Sequence, residues 1–166
     1  MTALPADPAF TMRTAPPDAW LRVLRRYLAF VFPLHLLWEF AHLPLYTIWH
    51  DAGTAEVLFA AVHCTGGDLL IAMAALLLAL MVLGNGWPVD PRAHRRVAGA
   101  ALIMGIGYTV FSEWLNIEVR GTWEYSALMP VLPPIGTGLS PILQWIAIPL
   151  AGFGWAYRPL KRPATV

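Results

Sequence analysis

Four apolar stretches dominate this chain, and each is long enough to cross a lipid bilayer as a helix. They cover roughly residues 20–46, 55–83, 97–117 and 139–157. A membrane-crossing helix needs about 20 mostly apolar residues. The 166 residues are 58% hydrophobic and only 13% charged, whereas about a quarter of an average soluble domain is charged. The sequence therefore predicts an all-α integral membrane four-helix bundle, and it excludes a disordered chain or an ordinary soluble enzyme.

The basic residues predict how the bundle is oriented. Ten of the eleven Lys and Arg residues precede the first stretch, open it, join the second to the third, or follow the fourth. Arg120 is the exception. The positive-inside rule then places both termini in the cytoplasm, as expected of a multi-pass inner-membrane protein. The predicted parts are a flexible cytoplasmic segment (1–19), a four-span membrane domain (20–158) with a long outer loop between spans three and four, and a cytoplasmic tail (159–166).

Net charge and cysteine content exclude several functions. The formal net charge is +1, which cannot supply the continuous basic surface that nucleic-acid binding requires. Cys64 is the only cysteine, so an internal disulfide and a multi-cysteine metal centre within one chain are excluded. The N-terminal segment is polar and rich in proline and has no apolar core, so a cleaved signal peptide is not expected.

Polar residues inside the apolar stretches are the strongest functional signal. An ionisable group at the centre of a membrane helix costs about 2.5–3.5 kcal/mol on insertion scales, so these residues are expected to pair with one another. On helices of alternating direction six of them fall in the outer half of the membrane and Asp68 falls near its middle. In the first stretch, His35, Glu39 and His42 lie at positions i, i+4 and i+7, which share one helix face. The set is His35, Glu39, His42, His63, Asp68, Glu113, Asn116 and Gln144.

The second stretch fits this pattern less well. His63 and Asp68 are five residues apart, which puts them about 140° apart on an ideal helix. Gly66 and Gly67 lie between them. The two glycines predict either a local distortion of the helix or a close approach of a neighbouring helix.

Carboxyls and imidazoles gathered in an apolar setting favour acid–base chemistry. We expect Glu39 and Glu113 to exchange protons with a lipid-like or isoprenoid substrate, in an isomerase or cyclase type of reaction. The histidines tune these acids, and Asp68 and Gln144 orient them. The expected catalytic set is Glu39, Glu113, His35, His42, His63 and Asp68, and the expected substrate-binding set is Trp38, Asn116, Gln144, Trp145, Trp114 and Arg120.

The long outer loop carries two further expectations. Its prolines and glycines preclude a continuous helix, so it can fold back as a lid over the polar residues. Arg120 either binds a headgroup or carboxylate or pairs with Glu118 or Glu124. His50 and His94 lie in connectors and are expected to be solvated.

Other functions remain open. Glu39, His42 and His63 are ligand types for a metal, two histidines on different helices could hold a haem, and a buried acid chain also suits proton conduction. Alternatively, the polar belt only fixes helix register, as in a small accessory or assembly subunit of a membrane complex. The acid–base interpretation needs no cofactor and no metal, and its partner is a membrane lipid or lipid-like molecule. A homo-oligomer or a partner in a membrane complex stays open.

Two resemblances are visible in the sequence. The strings WEFAHLPLYTIW, HCTGGDLLIA and SEWLNIEVRGTWEYSALMPVLPPIGTGLSPILQW resemble an uncharacterised family of small bacterial four-span membrane proteins. The chain also resembles, faintly, the emopamil-binding, sterol-isomerase-like (EXPERA) group, which implies double-bond migration through a carbocation. On that resemblance His35 and Glu39 fill the His-x3-Glu positions, Glu113 is the second acid, and Gln144 with Trp145 supplies the amide and aromatic. In this chain the His-x3-Glu pair lies in span one instead of span two, and the amide is Gln instead of Asn.

Overall fold

The computed structural model describes residues 18–161, with side chains described as far as residue 158. The predicted N-terminal segment (1–19) and tail (159–166) lie almost entirely outside these residues. The elements run in the order α1 (Ala19–His42), a 3-10 turn (Leu43–Leu45), α2 (Ile48–Asp51), α3 (Thr54–Leu83), α4 (Pro91–Trp114), a π-helical turn (Leu115–Val119), β1 (Val131–Leu132), β2 (Thr137–Gly138) and α5 (Leu139–Lys161). The predicted all-α fold with four long helices is confirmed.

The four long helices form a closed ring. Helix α1 packs against α3 and α5, and α4 packs against the same two neighbours. Successive long helices run antiparallel and are joined by residues 43–53, 84–90 and 115–138. One end of the bundle, here called the loop end, carries residues 43–53 and 115–138. The opposite end, the arginine end, carries the start of α1, the connector 84–90 and the end of α5. The two-residue strands pair antiparallel at the loop end, with Val131 opposite Gly138.

The helices expose apolar side chains and bury polar ones, which reverses the pattern of a soluble bundle. Among the described residues, all four long helices are long and apolar enough to cross a membrane. Large hydrophobic side chains such as Met81, Ile103 and Phe59 are more than two-thirds exposed. The buried residues include His35, Glu39, Asp68, Glu113 and Gln144. Apolar burial is concentrated toward the arginine end, where Tyr27 and Phe153 stack with ring centroids 4.3 Å apart.

Helix α4 begins several residues before the predicted start of the third span because Asp90 caps it. The Asp90 side chain accepts hydrogen bonds from the backbone N–H groups of Arg92 (2.9 Å) and Ala93 (3.2 Å). Pro91 occupies the first turn, where its missing N–H costs nothing. The hydrogen bond from the Arg92 backbone holds the pKa of the Asp90 carboxyl below its ordinary value. The helix therefore extends into the arginine-bearing connector.

Helix α3 is continuous through Gly66 and Gly67, so the expected distortion is absent. A Cβ atom added at either glycine would meet no atom within 4 Å. The alternative expectation, a close approach of a neighbouring helix, is therefore also wrong. Because the helix stays regular, Asp68 turns into the bundle while His63 is exposed on another face.

A close approach does occur at Gly105 on α4, where the Trp145 ring of α5 lies against the glycine. A Cβ atom at this position would overlap the six-membered ring of Trp145. We expect Gly105→Ala to lower the free energy of unfolding by about 1–3 kcal/mol through overpacking, measured as a fall in melting temperature in a mild detergent. Gly99→Ala is the matched control, since no atom lies within 4 Å of its Cβ position. Equal melting temperatures for the two variants would contradict this packing.

Candidate active site

Four polar side chains from three helices meet in the centre of the bundle and are here called the Gln144 network: His35 and Glu39 of α1, Asp68 of α3 and Gln144 of α5. The Gln144 amide nitrogen lies 2.9 Å from Glu39 Oε1 and 2.9 Å from Asp68 Oδ2. His35 Nδ1 lies 3.1 Å from Asp68 Oδ2. His35 is fully buried and Gln144 is 2% exposed. The predicted convergence of these residues is confirmed.

The number of available protons fixes how this network is bonded. Gln144 has two amide N–H donors, and these reach the two carboxyls. His35 Nδ1, which also lies 3.0 Å from the Gln144 nitrogen, then carries a hydrogen and donates to Asp68. The second oxygen of Asp68, Oδ1, accepts from the indole N–H of Trp145 at 3.1 Å. Every carboxylate oxygen of Asp68 therefore has a donor.

His42 extends the network toward the loop end. Its Nε2 lies 3.1 Å from Glu39 Oε2 and its Nδ1 lies 3.1 Å from the hydroxyl of Ser140. Ser140 also accepts from the indole N–H of Trp38 at 3.1 Å. A serine hydroxyl can donate or accept, so Ser140 satisfies Nδ1 of both neutral and protonated His42. The Glu39–His42 pair can therefore hold or release a proton without losing a hydrogen bond.

Glu113 of α4 forms a second centre, held by two tyrosines. The hydroxyls of Tyr46 and Tyr125 both donate to the same oxygen, Oε2, at 3.2 Å in the case of Tyr46. No hydrogen bond from residues 18–161 reaches the other oxygen, Oε1. The side chain is thus fixed through one oxygen and has the other free. Glu113 lies in the same cavity as Glu39 but is not bonded to it.

The outer loop is attached to the chain that follows α1, and this attachment brings the two tyrosines together. Tyr46 and Tyr125 form an antiparallel β-bridge, flanked by hydrogen bonds from Thr47 N to Glu124 O (3.0 Å) and from Ser126 N to Leu45 O (2.9 Å). The Tyr125 oxygen also accepts from the backbone N–H of Gly138 at 2.8 Å. Burial, together with the hydrogen bond to Glu113, raises the pKa of Tyr125 above its ordinary value, so the phenol stays a donor.

A cavity of about 390 Å³ connects the two centres. Both acids, the Gln144 amide and the inner face of α3 at Gly67 line it, and residues Arg120, Thr122 and Trp123 of the loop cover its loop end. The expectation that the loop folds over the polar cluster is therefore confirmed. A second, more apolar cavity of about 580 Å³ adjoins the first and shares Ile48, Ala60, His63, Cys64 and Trp123 with it.

Several predicted residues lie elsewhere. His63 is exposed at the cavity rim and stacks on Phe59, and no hydrogen bond or ion pair among the described residues joins it to Glu39 or Glu113. Trp114 is 49% exposed and lies outside the cavity, so its expected role as a cavity wall is wrong. Trp38 also lies outside the cavity, where it supports Ser140 instead. Trp145 does line the cavity.

The structure also shows where the other predicted polar residues lie and what they contact. The Asn116 amide donates to the backbone oxygen of Ser112 at 2.8 Å and its oxygen accepts from Thr122 at 3.1 Å, so it positions the loop at the cavity edge. Arg120 pairs with neither Glu118 nor Glu124; no ion pair among residues 18–161 includes it. His50 is exposed as expected, but His94 is buried and stacks on Tyr157 with ring centroids 4.0 Å apart, because α4 begins early enough to carry it inside.

Two residues of the candidate site, Tyr46 and Tyr125, are absent from the sets predicted from the sequence. Aromatic residues near the bilayer surface are common in membrane proteins, so neither tyrosine stands out in the sequence. Their hydroxyls fix Glu113. No helical spacing links either tyrosine to Glu113. Their contact with Glu113 is visible only in the tertiary structure, where a β-bridge joins the loop to the chain that follows α1.

The predicted metal alternative has no complete ligand set in the described part of the chain. No group of three or more His, Cys, Asp or Glu side chains there is arranged to hold a metal ion. Glu39 and His42 are adjacent, but His63, the third candidate, is turned to the rim.

No protein-family model matches this chain, and searches of functionally described proteins and of solved structures find no similar chain. The resemblance to the EXPERA group stays a prediction from the residues.

Proposed function

We propose that the protein spans a membrane and catalyses proton transfer to and from the hydrocarbon part of a lipid-like substrate, as an isomerase or cyclase does. The observation that carries this proposal is the single cavity of about 390 Å³ into which two separate carboxyl centres open. Double-bond migration needs one group that gives a proton and another, at a different place, that takes one. Glu113 and the Glu39–His42 pair meet this requirement.

The surface of the bundle supports membrane insertion. Each of the four long helices has the length and hydropathy of a membrane span, and large apolar side chains cover the outside. Arg22, Arg25, Arg26, Arg92, Arg95, Arg96 and Arg158 belong to the arginine end, and Arg120 belongs to the loop end. By the positive-inside rule the arginine end faces the cytoplasm of the inner membrane and the cavity lies nearer the outer surface.

Glu113 is suited to be the proton donor. Its Oε2 is held by two phenols, so the free Oε1 has a fixed position relative to a substrate in the cavity. A protonated carboxyl donates through one oxygen while the other accepts, which matches this division. Preorganisation of this kind lowers the reorganisation needed in the transition state.

The Glu39–His42 pair is suited to be the proton acceptor. Glu39 Oε2 and His42 Nε2 share one hydrogen-bonded contact, and Ser140 can reverse its hydrogen bond when His42 gains a proton. Gln144 donates to Glu39 and also to Asp68.

The proposed reaction balances without an oxidant or reductant. Glu113 gives a proton to one alkene carbon, and the π electrons form the new C–H bond, leaving a carbocation on the neighbouring carbon. The Glu39–His42 pair removes a proton from the adjoining carbon, and that C–H electron pair becomes the new double bond. One proton must then return from the Glu39–His42 pair to Glu113. In a cyclase the cation is attacked by a second double bond before the proton is lost.

This proposal is tested by deuterium incorporation, which does not require the substrate to be known. Purified protein is reconstituted in liposomes of the total lipid extract of the expressing cells, in deuterated buffer, and carbon-bound deuterium is measured by mass spectrometry. The wild type is expected to label a lipid, and Glu39→Gln to slow labelling by about 10²–10⁴-fold. Glu124→Gln, an exposed acid outside the cavity, is the matched control. Absence of label with folded wild type would count against the proposal.

A second function is supported by the full hydrogen bonding of the two carboxyls in the Gln144 network. Every oxygen of Glu39 and Asp68 has a hydrogen-bond partner, as a polar core that only fixes helix register would require. In that case the protein is an accessory subunit of a membrane complex. It then labels no lipid in deuterated buffer, and Glu39→Gln acts on thermal stability alone.

A further inference from the structure

We infer that the ligand of the cavity is an amphiphile with an anionic headgroup held at the loop end by Arg120 and Trp123, and an apolar chain that leaves between α3 and α4. This inference rests on the proposed function, because it assigns the substrate class of the same cavity. It is carried by the hydrogen-bonding capacity that the cavity wall leaves unused.

The carboxyl acceptors of the wall are almost all occupied. Both oxygens of Glu39 and of Asp68 already interact with protein donors, and Oε2 of Glu113 accepts from two phenols. Among the acids that line the cavity only Oε1 of Glu113 is free, and the proposed reaction uses it. A cationic headgroup such as an amine would therefore have to displace existing hydrogen bonds, although the cavity is rich in carboxyls.

Two hydrogen-bond donors without a protein partner lie at the loop end of the cavity. Arg120 lines the cavity, and its guanidinium takes part in no hydrogen bond or ion pair among residues 18–161. The indole N–H of Trp123, which lines both cavities, is buried and has no hydrogen-bond partner within the same residues. A buried donor without a partner costs free energy, and an anionic oxygen would satisfy both groups at once.

The chain around Arg120 fixes this position. Helix α4 ends in a π-helical turn, closed by a hydrogen bond from Arg120 N to Leu115 O (2.9 Å), and Thr122 N then returns to Asn116 O (2.9 Å). This reversal brings Arg120 and Trp123 back over the cavity. Asp68 and Gln144 lie deeper, so an anion at Arg120 is separated from the network carboxyls.

An opening for an apolar chain lies between α3 and α4. Leu70 of α3 and Tyr108 of α4 both line the cavity and are 63% and 51% exposed, so the cavity is open sideways at these residues. Gly67 lies next to this gap, and no atom comes within 4 Å of its Cβ position. The glycine thus leaves space on the α3 side for a hydrocarbon chain.

The test compares three probes that share an 18-carbon cis-monounsaturated chain: oleate, oleyl alcohol and oleylamine. Binding to purified protein in a neutral maltoside detergent is measured by native mass spectrometry, with oleyl phosphate as a second anion. Oleate or oleyl phosphate is expected to bind about tenfold more tightly than the alcohol, because only an anion forms a charge-assisted hydrogen bond in which both partners are charged. Equal affinities for all four probes, or a preference for the amine, would overturn the inference.

Single substitutions test where on the protein these probes bind. Arg120→Gln is expected to remove the preference for anions and leave affinity for the alcohol unchanged, whereas Arg96→Gln at the arginine end serves as the matched control. Gly67→Leu is expected to weaken all four probes by filling the cavity. If oleate binding survives Gly67→Leu, the anion is held at the surface, as by a bulk lipid headgroup, and the inference fails. Deuterium labelling tests the acids independently, so a wild type that labels lipid but shows no preference for the anionic probes refutes this inference alone.

Discussion

Replacing Glu113 with Gln is expected to reduce deuterium incorporation by about 10²–10⁴-fold, the range that a positioned acid or base contributes. The amide has the shape of the carboxyl, and its oxygen can still accept from Tyr46 and Tyr125. It cannot deliver the proton that the carboxyl would give through Oε1. Because the hydrogen bonds at Oε2 survive, the melting temperature in detergent is expected to stay close to that of the wild type.

The two tyrosines provide a graded comparison for this prediction. Tyr125→Phe removes one of the two donors to Oε2 and is expected to slow labelling less than Glu113→Gln, since the acid itself remains. Glu124→Gln again controls for loss of a carboxyl from the same end of the bundle. Full labelling activity in folded Glu113→Gln would exclude Glu113 as the proton donor.

Replacing Gln144 with Leu is expected to be the most destabilising single change in the bundle. Gln144 is 2% exposed and is the shared donor to Glu39 and Asp68. Leucine is similar in size but has no N–H, so two buried carboxyls each lose a hydrogen bond. The expected loss is about 3 kcal/mol or more of unfolding free energy, measured by thermal or denaturant unfolding in detergent.

A double variant separates the lost hydrogen bonds from lost packing. When Glu39→Leu is combined with Gln144→Leu, one unpaired carboxyl is removed together with its donor, so the double variant is expected to lose less than the sum of the two single variants. Ile146→Leu, on the exposed face of α5, is the control for altering this helix. Additive losses would show that the contact between Gln144 and Glu39 contributes little.

The polar stripe of the first span was predictable, because helical spacing alone determines which of its residues share a face. His35, Glu39 and His42 lie at i, i+4 and i+7, and the structure places all three on the buried face. In the second span the same spacing argument separates His63 from Asp68. Only one of them can face the bundle centre while the helix stays regular, and the sequence did not indicate which of the two it would be.

The sequence by itself determined four long apolar helices and the placement of acids and imidazoles within them, because length, hydropathy and 3.6-residue periodicity are local properties of the chain. Tertiary structure alone decided that Tyr46 and Tyr125 hold Glu113, that Trp114 faces outward, and that Arg120 lies over the cavity with no side-chain partner among residues 18–158. These outcomes depend on how the loop crosses the bundle end and on the rotation of each helix about its axis. Both follow from packing between residues distant in sequence, for which no local pattern exists.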